Sequence, residues 1–453
     1  MSFFVGRTFA RAVLVRLCAG LVLASLSCAA SAAIAERAIR LQAAGIDLVV
    51  YPMQVRDVVS FTGSLPAGDV IAAREGSNPA VATLVAMMLD KGTTKQDKIA
   101  IANRLDDVGA SIRFAPGPQM VTIHGRSLSK DLGLVIRLLA EQLRTPAFLP
   151  EELDRAKKQL EARVRMQIDD TGFRAREAFA RAVYPDGHPN RPVAPQEWLA
   201  AAQRATVEEL RAFHGKHYGP AHLTLVFAGD VDAQAIQAEI AEAFAGWTGG
   251  TALTRSSGGV PEREPSVQTV ELHDKASVSI VLGQSTGLRF GEPGYVALSV
   301  GTEILGSGFT GRLMSTVRDK EGLTYGIGAG LSDDTFTDGS WSISATFAPE
   351  LLERGIASTR RELEKWWREG VTAAELEARK SNLVGSFKVR LSTTGGMAYA
   401  ILESIDRGVG IDWLDRYPEA VAALSVDEVN AAIRKYLDPQ RMVLVKAGTM
   451  PAS

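Results

Sequence analysis

Two donor side chains, Arg318 and Tyr325, stand seven positions apart in the stretch 306–330, GSGFTGRLMSTVRDKEGLTYGIGAG. A guanidinium and a phenol are both hydrogen-bond donors, and at this spacing their side chains could converge on one spot. Whether they meet depends on the elements between them. Leu313 and Val317, with Phe309 and Thr310 one turn earlier, set a helical period that stops at Gly322, where glycine accepts the left-handed angles of a helix end. Leu323, Tyr325 and Ile327 then alternate with small residues and open a strand. Arg318 is therefore expected on a last helical turn and Tyr325 at the mouth of a strand. An exposed helix arginine and a half-buried strand tyrosine with no chemical role fit the same pattern.

Other chemistries find less support. Of the six histidines, only His214, His217 and His222, in HGKHYGPAH, lie close together, near a helix end where imidazole suits the dipole and the last carbonyls. No carboxylate stands beside them at ligand spacing, so they are read as structural, as is His188 in YPDGHPNRP. Nucleophilic chemistry is given no foothold: the mature chain is expected to lack cysteine, and no Gly-x-Ser-x-Gly elbow is read in it. Gly306, Gly308 and Gly311 match a dinucleotide-loop spacing, but they follow a helix-like run, YVALSVGTEIL, rather than a strand. A flexible loop near a binding chamber and a plain helix-to-helix turn are both open for these glycines. Trp366 and Trp367, on a charged helix, are expected to pack against a sheet or, alternatively, to meet a subunit.

The chain of 453 residues is 46% hydrophobic and 23% charged, enough for two or more cored domains and without the basic excess of a nucleic-acid binder. Arg7, Arg11 and Arg16 precede the apolar run Leu17 to Leu26, and Ala30-Ser31-Ala32 closes it, as in a signal peptide cut near Ala32. That run is short for a membrane span, and no later segment reaches spanning length. Its loss removes three arginines and no acid, so the formal charge of −2 becomes −5. Both cysteines, Cys18 and Cys28, go with it; lipidation at Cys28 is the lesser alternative, since Ser25 stands where a leucine-like residue is wanted. The expected address is periplasmic.

The mature part reads as a duplication. Residues 206–231 align without gaps on 425–450, sharing Val207 with Val426, Glu209 with Glu428, Pro220 with Pro439, and Ala228-Gly229 with Ala447-Gly448. Glu152-Leu153, Lys157 and Leu160 recur as Glu375-Leu376, Lys380 and Leu383. Between Trp247 and Ser266 periodicity gives way to Gly, Ser and Pro. The expected organisation is a leader over 1–32, a first α+β half over 33–247, a linker over 248–266 and a second α+β half over 267–453. Each half is expected to be a mainly antiparallel sheet with helices packed on one side.

The block from the glycine-rich turn through Arg318, Gly322-Leu323 and Tyr325 resembles the pitrilysin, insulinase and mitochondrial processing peptidase family of metallopeptidases. The resemblance implies that Arg318 and Tyr325 bind substrate near a zinc ion, and that Gly306, Gly308 and Gly311 contact substrate as a similar loop does in a noncatalytic subunit of that family. It also implies a His-x-x-Glu-His helix in the first half. Counting back from Lys91-Gly92-Thr93, those positions hold Thr83, Leu84, Val85, Ala86 and Met87, and the position of the third ligand, in LEARVRMQIDD, holds Arg163.

The reading is therefore a noncatalytic subunit of a periplasmic heterodimeric zinc peptidase, with no cofactor of its own. A homologous partner bearing His-x-x-Glu-His would hold the zinc, and peptide would be the shared substrate. The alternatives are an inert peptide-binding or scaffold protein of the same fold and, more remotely, a residual self-sufficient site.

Overall fold

The computed structural model describes residues 33–253, 255 and 264–451. The expected leader and residues 254 and 256–263 of the expected linker lie outside the described residues.

Two sheets carry the fold. The first contains β1 (Ile39–Ala43), β2 (Ile46–Pro52), β3 (Val58–Leu65), β4 (Ser111–Pro116), β5 (Val121–Leu128) and β6 (Thr224–Gly229), in the spatial order β1-β2-β6-β3-β5-β4. The second contains β7 (Val267–Glu271), β8 (Val278–Ser285), β9 (Thr324–Ser332), β10 (Ser340–Phe347) and β11 (Val443–Gly448), in the order β7-β11-β8-β10-β9. Without β1 the two orders are the same, and in each sheet one pair is parallel, β2 with β6 and β7 with β11, while the rest are antiparallel. The duplication read from the sequence is a duplication of topology.

Local chemistry repeats with it. Helices Val207–His217 and Val426–Tyr436 each begin with a complete capping box, Thr206 with Glu209 and Ser425 with Glu428. Each cap satisfies two backbone donors that a helix start leaves open. Gly229 and Gly448 end β6 and β11 at φ 140° and 146°; a methyl group on Gly229 would lie 2.1 Å from the Val58 carbonyl oxygen, and one on Gly448 would lie 2.7 Å from that of Ser277. No side chain fits where these backbones cross.

Period-two alternation sorts each strand into two faces. Leu48, Val50, Phe61, Leu225 and Phe227 face the core formed with the first half's own helices, among them α1 (Asp69–Arg74), α2 (Val81–Met88) and α3 (Pro150–Asp169). The helix α4 (Thr171–Val183) leaves its own half: Ala175, Phe179 and Val183 pack on Val281, Val443, Val445 and Ala447 of the second sheet. In the second half α5 (Tyr295–Gly306) lies on its own sheet's inner face. The helices α6 (Ala373–Leu391) and α7 (Thr394–Asp406) send Phe387, Met397 and Ile401 against Val49, Tyr51, Val226 and Ala228 of the first sheet. Each sheet thus packs helices of its own half on one side and is covered on the far side by helices of the other half, α4 on the second sheet and α6 with α7 on the first.

The exchange is marked by one repeated contact. The Thr171 hydroxyl meets Ser279 Oγ of β8 at 2.8 Å, and the Thr394 hydroxyl meets Ser60 Oγ of β3 at 2.8 Å. Tryptophan packing is as expected: Trp366 is buried and lies parallel to Trp341 of β10 at 6.0 Å between centroids, while Trp367 Nε1 donates to the Leu437 carbonyl at 2.7 Å.

Candidate functional site

Arg318 is not on an ordinary helical turn. Arg312 and Leu313 begin one, and Met314–Lys320 continue as a π-helix, a wider coil that recurs at functional sites because it re-aims side chains. Buried Leu313 and Val317 anchor it. It ends as the sequence predicts: Gly322 takes φ 63°, its amide donates to the Arg318 carbonyl, and the Leu323 amide donates to that of Val317, each at 2.9 Å. The Gly322 bond is the 5→1 closure of a left-handed helix end, which glycine makes without strain, and the Leu323 bond spans one residue more than an ordinary Schellman closure.

Tyr325 lies at the start of β9, the edge strand of the second sheet. It is 89% exposed, not half-buried, and no described side chain bonds its hydroxyl. The structure brings the pair together: the Arg318 guanidinium carbon is 5.2 Å from the Tyr325 ring centre and 5.0 Å from that of Phe309. Phe309, expected to extend the helical period, instead sits in the turn before it and is 72% exposed. Its role beside Arg318 was not read from the sequence; the only trace is a large apolar residue inside a glycine-rich turn.

Arg312 is the other residue that sequence reasoning missed. Its Nε and Nη2 donate to the two carboxylate oxygens of Glu375, each at 2.7 Å, and Nη2 also donates to the Gly370 carbonyl at 2.9 Å. Glu375 closes a capping box with Thr372 at the start of α6, and these bonds, Arg312 foremost, hold its carboxyl down at about 2. The Thr-x-x-Glu box was legible, but the arginine that fastens the site segment to it was not.

The three glycines have different reasons. Gly306 ends α5 so close to β9 that a methyl group would lie 2.2 Å from the Ala329 amide nitrogen. Gly308 takes φ 63° with open space around it, and Gly311 lies tight against Ser307. Packing therefore governs Gly306 and turn geometry governs Gly308.

The zinc-motif positions fall on α2 and α3. Thr83 is buried, and its hydroxyl and amide both donate to Asp69, whose carboxyl is pushed up to about 6, chiefly by its burial. Ala86 is in the core, and Met87 packs partly against it. Arg163 is exposed on α3 and lines, with Thr83, a cavity of about 830 Å³. The donor set does not fit zinc: one hydroxyl already bonded to a carboxylate, one methyl, one thioether and one cation. Among the described residues no group of three or more His, Cys, Asp or Glu is placed to hold a metal ion.

His188, His214 and His217 have structural partners, while His222 is exposed at φ 63°. His214 Nε2 meets the Leu143 carbonyl at 2.8 Å, across to another helix rather than at its own helix end, and burial lowers its pKa. His217 lies between Thr251 Oγ1 at 2.6 Å and Glu75 at 3.3 Å, and His188 stacks on Tyr184 at 4.5 Å. Gly283-Gln284-Ser285-Thr286-Gly287 does match a Gly-x-Ser-x-Gly string. Ser285 nevertheless stays in the β8–β10 ladder opposite Ser340, and the next helix starts only at Tyr295, so it forms no elbow.

Comparison with known proteins agrees with this architecture. The family description "Insulinase (Peptidase family M16)" matches residues 73–194, and "Peptidase M16 inactive domain" matches residues 204–383. An uncharacterized zinc protease of Streptomyces coelicolor is 26% identical over 373 residues, 77% of this chain and 76% of the relative; one of Mycobacterium tuberculosis is 26% identical over 361 residues, 77% and 80%. The crystal structure of a peptidase M16 inactive domain from Pseudomonas fluorescens superposes with a TM-score of 0.84 at 26% identity, covering 92% of this chain and 98% of that one. The periplasmic protease PqqL of Escherichia coli shares the fold with a TM-score of 0.76 at 14% identity, covering 92% of this chain but 46% of that one. No described helix is long and apolar enough to cross a membrane. Two family descriptions in sequence order, relatives matched over most of their length and the duplicated sheets place this chain in the insulinase-like M16 peptidase family.

Proposed function

We propose that this protein is the noncatalytic member of a periplasmic, heterodimeric zinc peptidase, in which Arg318 and Tyr325 grip the substrate peptide for a homologous partner bearing His-x-x-Glu-His. The observation that carries this reading is a division of labour within one chain. The first half lacks a ligand set for zinc, whereas the second half presents a guanidinium and a free phenol side by side at a solvent-facing strand edge. Metal chemistry would belong to the partner. This chain's part is electrostatic: the Tyr325 hydroxyl donates a hydrogen bond to the carbonyl oxygen of the bond being cut, and Arg318 donates one to a neighbouring carbonyl. Pairing is supported by length, since this chain matches 46% of the E. coli protease, which leaves room there for a second such unit.

Co-expression with a tag on this chain, followed by a peptidase assay with and without the copurifying homologue, tests the reading. A zinc-bearing partner whose turnover rises on mixing supports it. A peptide-binding chain that raises no partner's activity indicates a scaffold, and chelator-sensitive activity of the purified chain alone overturns it.

A further inference from the structure

The cavity of about 830 Å³, lined mostly by the first half, carries four arginines and four acids, and among those left without a partner the arginines outnumber the acids three to one. Three of its four acids already have partners, and Asp333, from the second half, has no ion pair to a described residue. Asp69 accepts from Thr83, Asp186 is 2.8 Å from Arg191, and Glu177 lies 3.7 Å from Arg174 and 3.5 Å from Arg181. Three of its arginines do not: Arg74 from α1, Arg163 from α3 and Arg176 from α4 have no ion pair or hydrogen bond to any described residue, yet all three line the same space. Convergence from three elements separates this from scattered surface cations. Guanidinium groups present paired donors that match a carboxylate. The wall between them is apolar, with Leu160, Val164, Phe173 and Trp198, so the space suits a peptide stem as well as its charge.

We infer that this cavity is a binding site for the carboxylates of an acidic peptide, held by Arg74, Arg163 and Arg176. The site goes beyond the Arg318–Tyr325 reading and needs no partner subunit. Its volume admits several residues, and three free arginines against one free carboxylate favour Glu- or Asp-bearing segments over basic ones.

The test uses the full-length purified chain and a fluorescent heptapeptide of alternating Ala and Glu. A second peptide carries Gln in place of Glu, and a third has an amidated C-terminus. The expected result is saturable binding of the Glu peptide that weakens steeply between 50 and 300 mM salt (roughly, as screening of exposed charges requires) and drops about tenfold with Arg163→Gln and again with Arg176→Gln. Arg163→Lys, which keeps the charge and loses the fork, should fall between. A loss on the Gln swap assigns the contact to side-chain carboxylates, and a loss on amidation assigns it to the chain terminus; either supports the site. Equal affinity for all three peptides, no binding of any, or unchanged affinity in the folded Arg163→Gln/Arg176→Gln variant overturns it. Because neither arginine belongs to the Arg318–Tyr325 pair, partner-dependent peptidase activity can survive while this inference fails, and the reverse.

Discussion

The Arg318 guanidinium lies 5.2 Å from the Tyr325 ring, with the Phe309 ring at 5.0 Å, while its only ion contact among the described residues, Asp319, is at 3.9 Å. Rings of this kind hold a cation at about 0.5–1 kcal/mol in exposed settings without occupying its N–H groups. A close carboxylate would have fixed Arg318 equally well and used up the donors. The arrangement positions a charge and leaves it available.

Tyr325→Phe isolates the hydroxyl from this packing, because the ring beside Arg318 stays. In the proposed complex with a zinc-bearing partner, turnover should fall about 100- to 1,000-fold, the scale of losing one oxyanion donor. Zinc content of the partner and the melting temperature of this chain should not move, since Tyr325 is 89% exposed. Turnover equal to wild type removes Tyr325 from the mechanism.

The glycines separate packing from loop freedom. Gly306→Ala places a methyl group 2.2 Å from the Ala329 amide nitrogen, so α5 must move off β9. Overpacking of this kind costs about 1–3 kcal/mol. Gly308→Ala meets no atoms and pays only for its φ of 63°, roughly 1–2 kcal/mol. Urea titration should rank Gly306→Ala as the less stable. If Gly306→Ala is as stable as wild type but weakens peptide binding, the loop role outranks packing at that position.

Much of the fold was legible because its signals are local. The two capping boxes, the glycines that end β6 and β11, and the stop at Gly322 each follow from one residue type in one backbone conformation. Convergence of Arg318 and Tyr325 followed from the same helix-stop-strand logic. What stayed hidden depends on partners far along the chain. An amphipathic α4 declares a buried face but not which sheet covers it, so the exchange of α4 and α7 between halves was not readable. The π-helix was missed because Leu313 and Val317 satisfy an ordinary helical period equally well. Arg312 meets Glu375 only through the tertiary fold. Of the cavity arginines only Arg163 falls at a motif position, and Arg74 and Arg176 come from two other elements, so their grouping has no sequence signature.

Arg312→Ala should cost about 1.5–3 kcal/mol, the range for hydrogen bonds to a charged group, since the fork to Glu375 is part-buried. The pH dependence gives a second readout. The Glu375 carboxyl is held at about 2, below its unfolded value of 4.5, so its contribution is complete above pH 4.5 and is lost as pH falls toward 2. Removing Arg312 should therefore shrink the stability gap between wild type and variant progressively below pH 4.5. A gap that stays constant down to pH 2.5 shows that the arginine acts through packing alone.

Asp406 behaves in the opposite sense. It sits at the end of α7, accepts from Ser64 of β3 at 2.8 Å, and burial pushes its carboxyl up to about 6 from 3.8. Between those values the folded state binds more protons than the unfolded one, so stability declines as pH rises from 4 to 6. Asp406→Asn can still accept from Ser64 and cannot ionise. Its melting temperature relative to wild type should climb over that interval and level off above pH 6. A difference independent of pH places the Asp406 charge outside the energetics of the contact between halves.

The exchanged helices make a prediction about the two halves themselves. Without α6 and α7, the first sheet would expose Val49, Tyr51, Val226 and Ala228 as a continuous face; without α4, the second would expose Val281, Val443, Val445 and Ala447. Contiguous apolar faces of this kind drive association in water. Residues 33–253 and 264–451, expressed separately, should each aggregate or bind a hydrophobic dye, and should recover a defined near-ultraviolet spectrum only when refolded together. A protease site inserted between 253 and 264 and then cut should leave the halves eluting as one particle, because the interlock, not the covalent link, joins them. Two separate, folded, monodisperse halves after cutting would show that each sheet closes its far face without the borrowed helix.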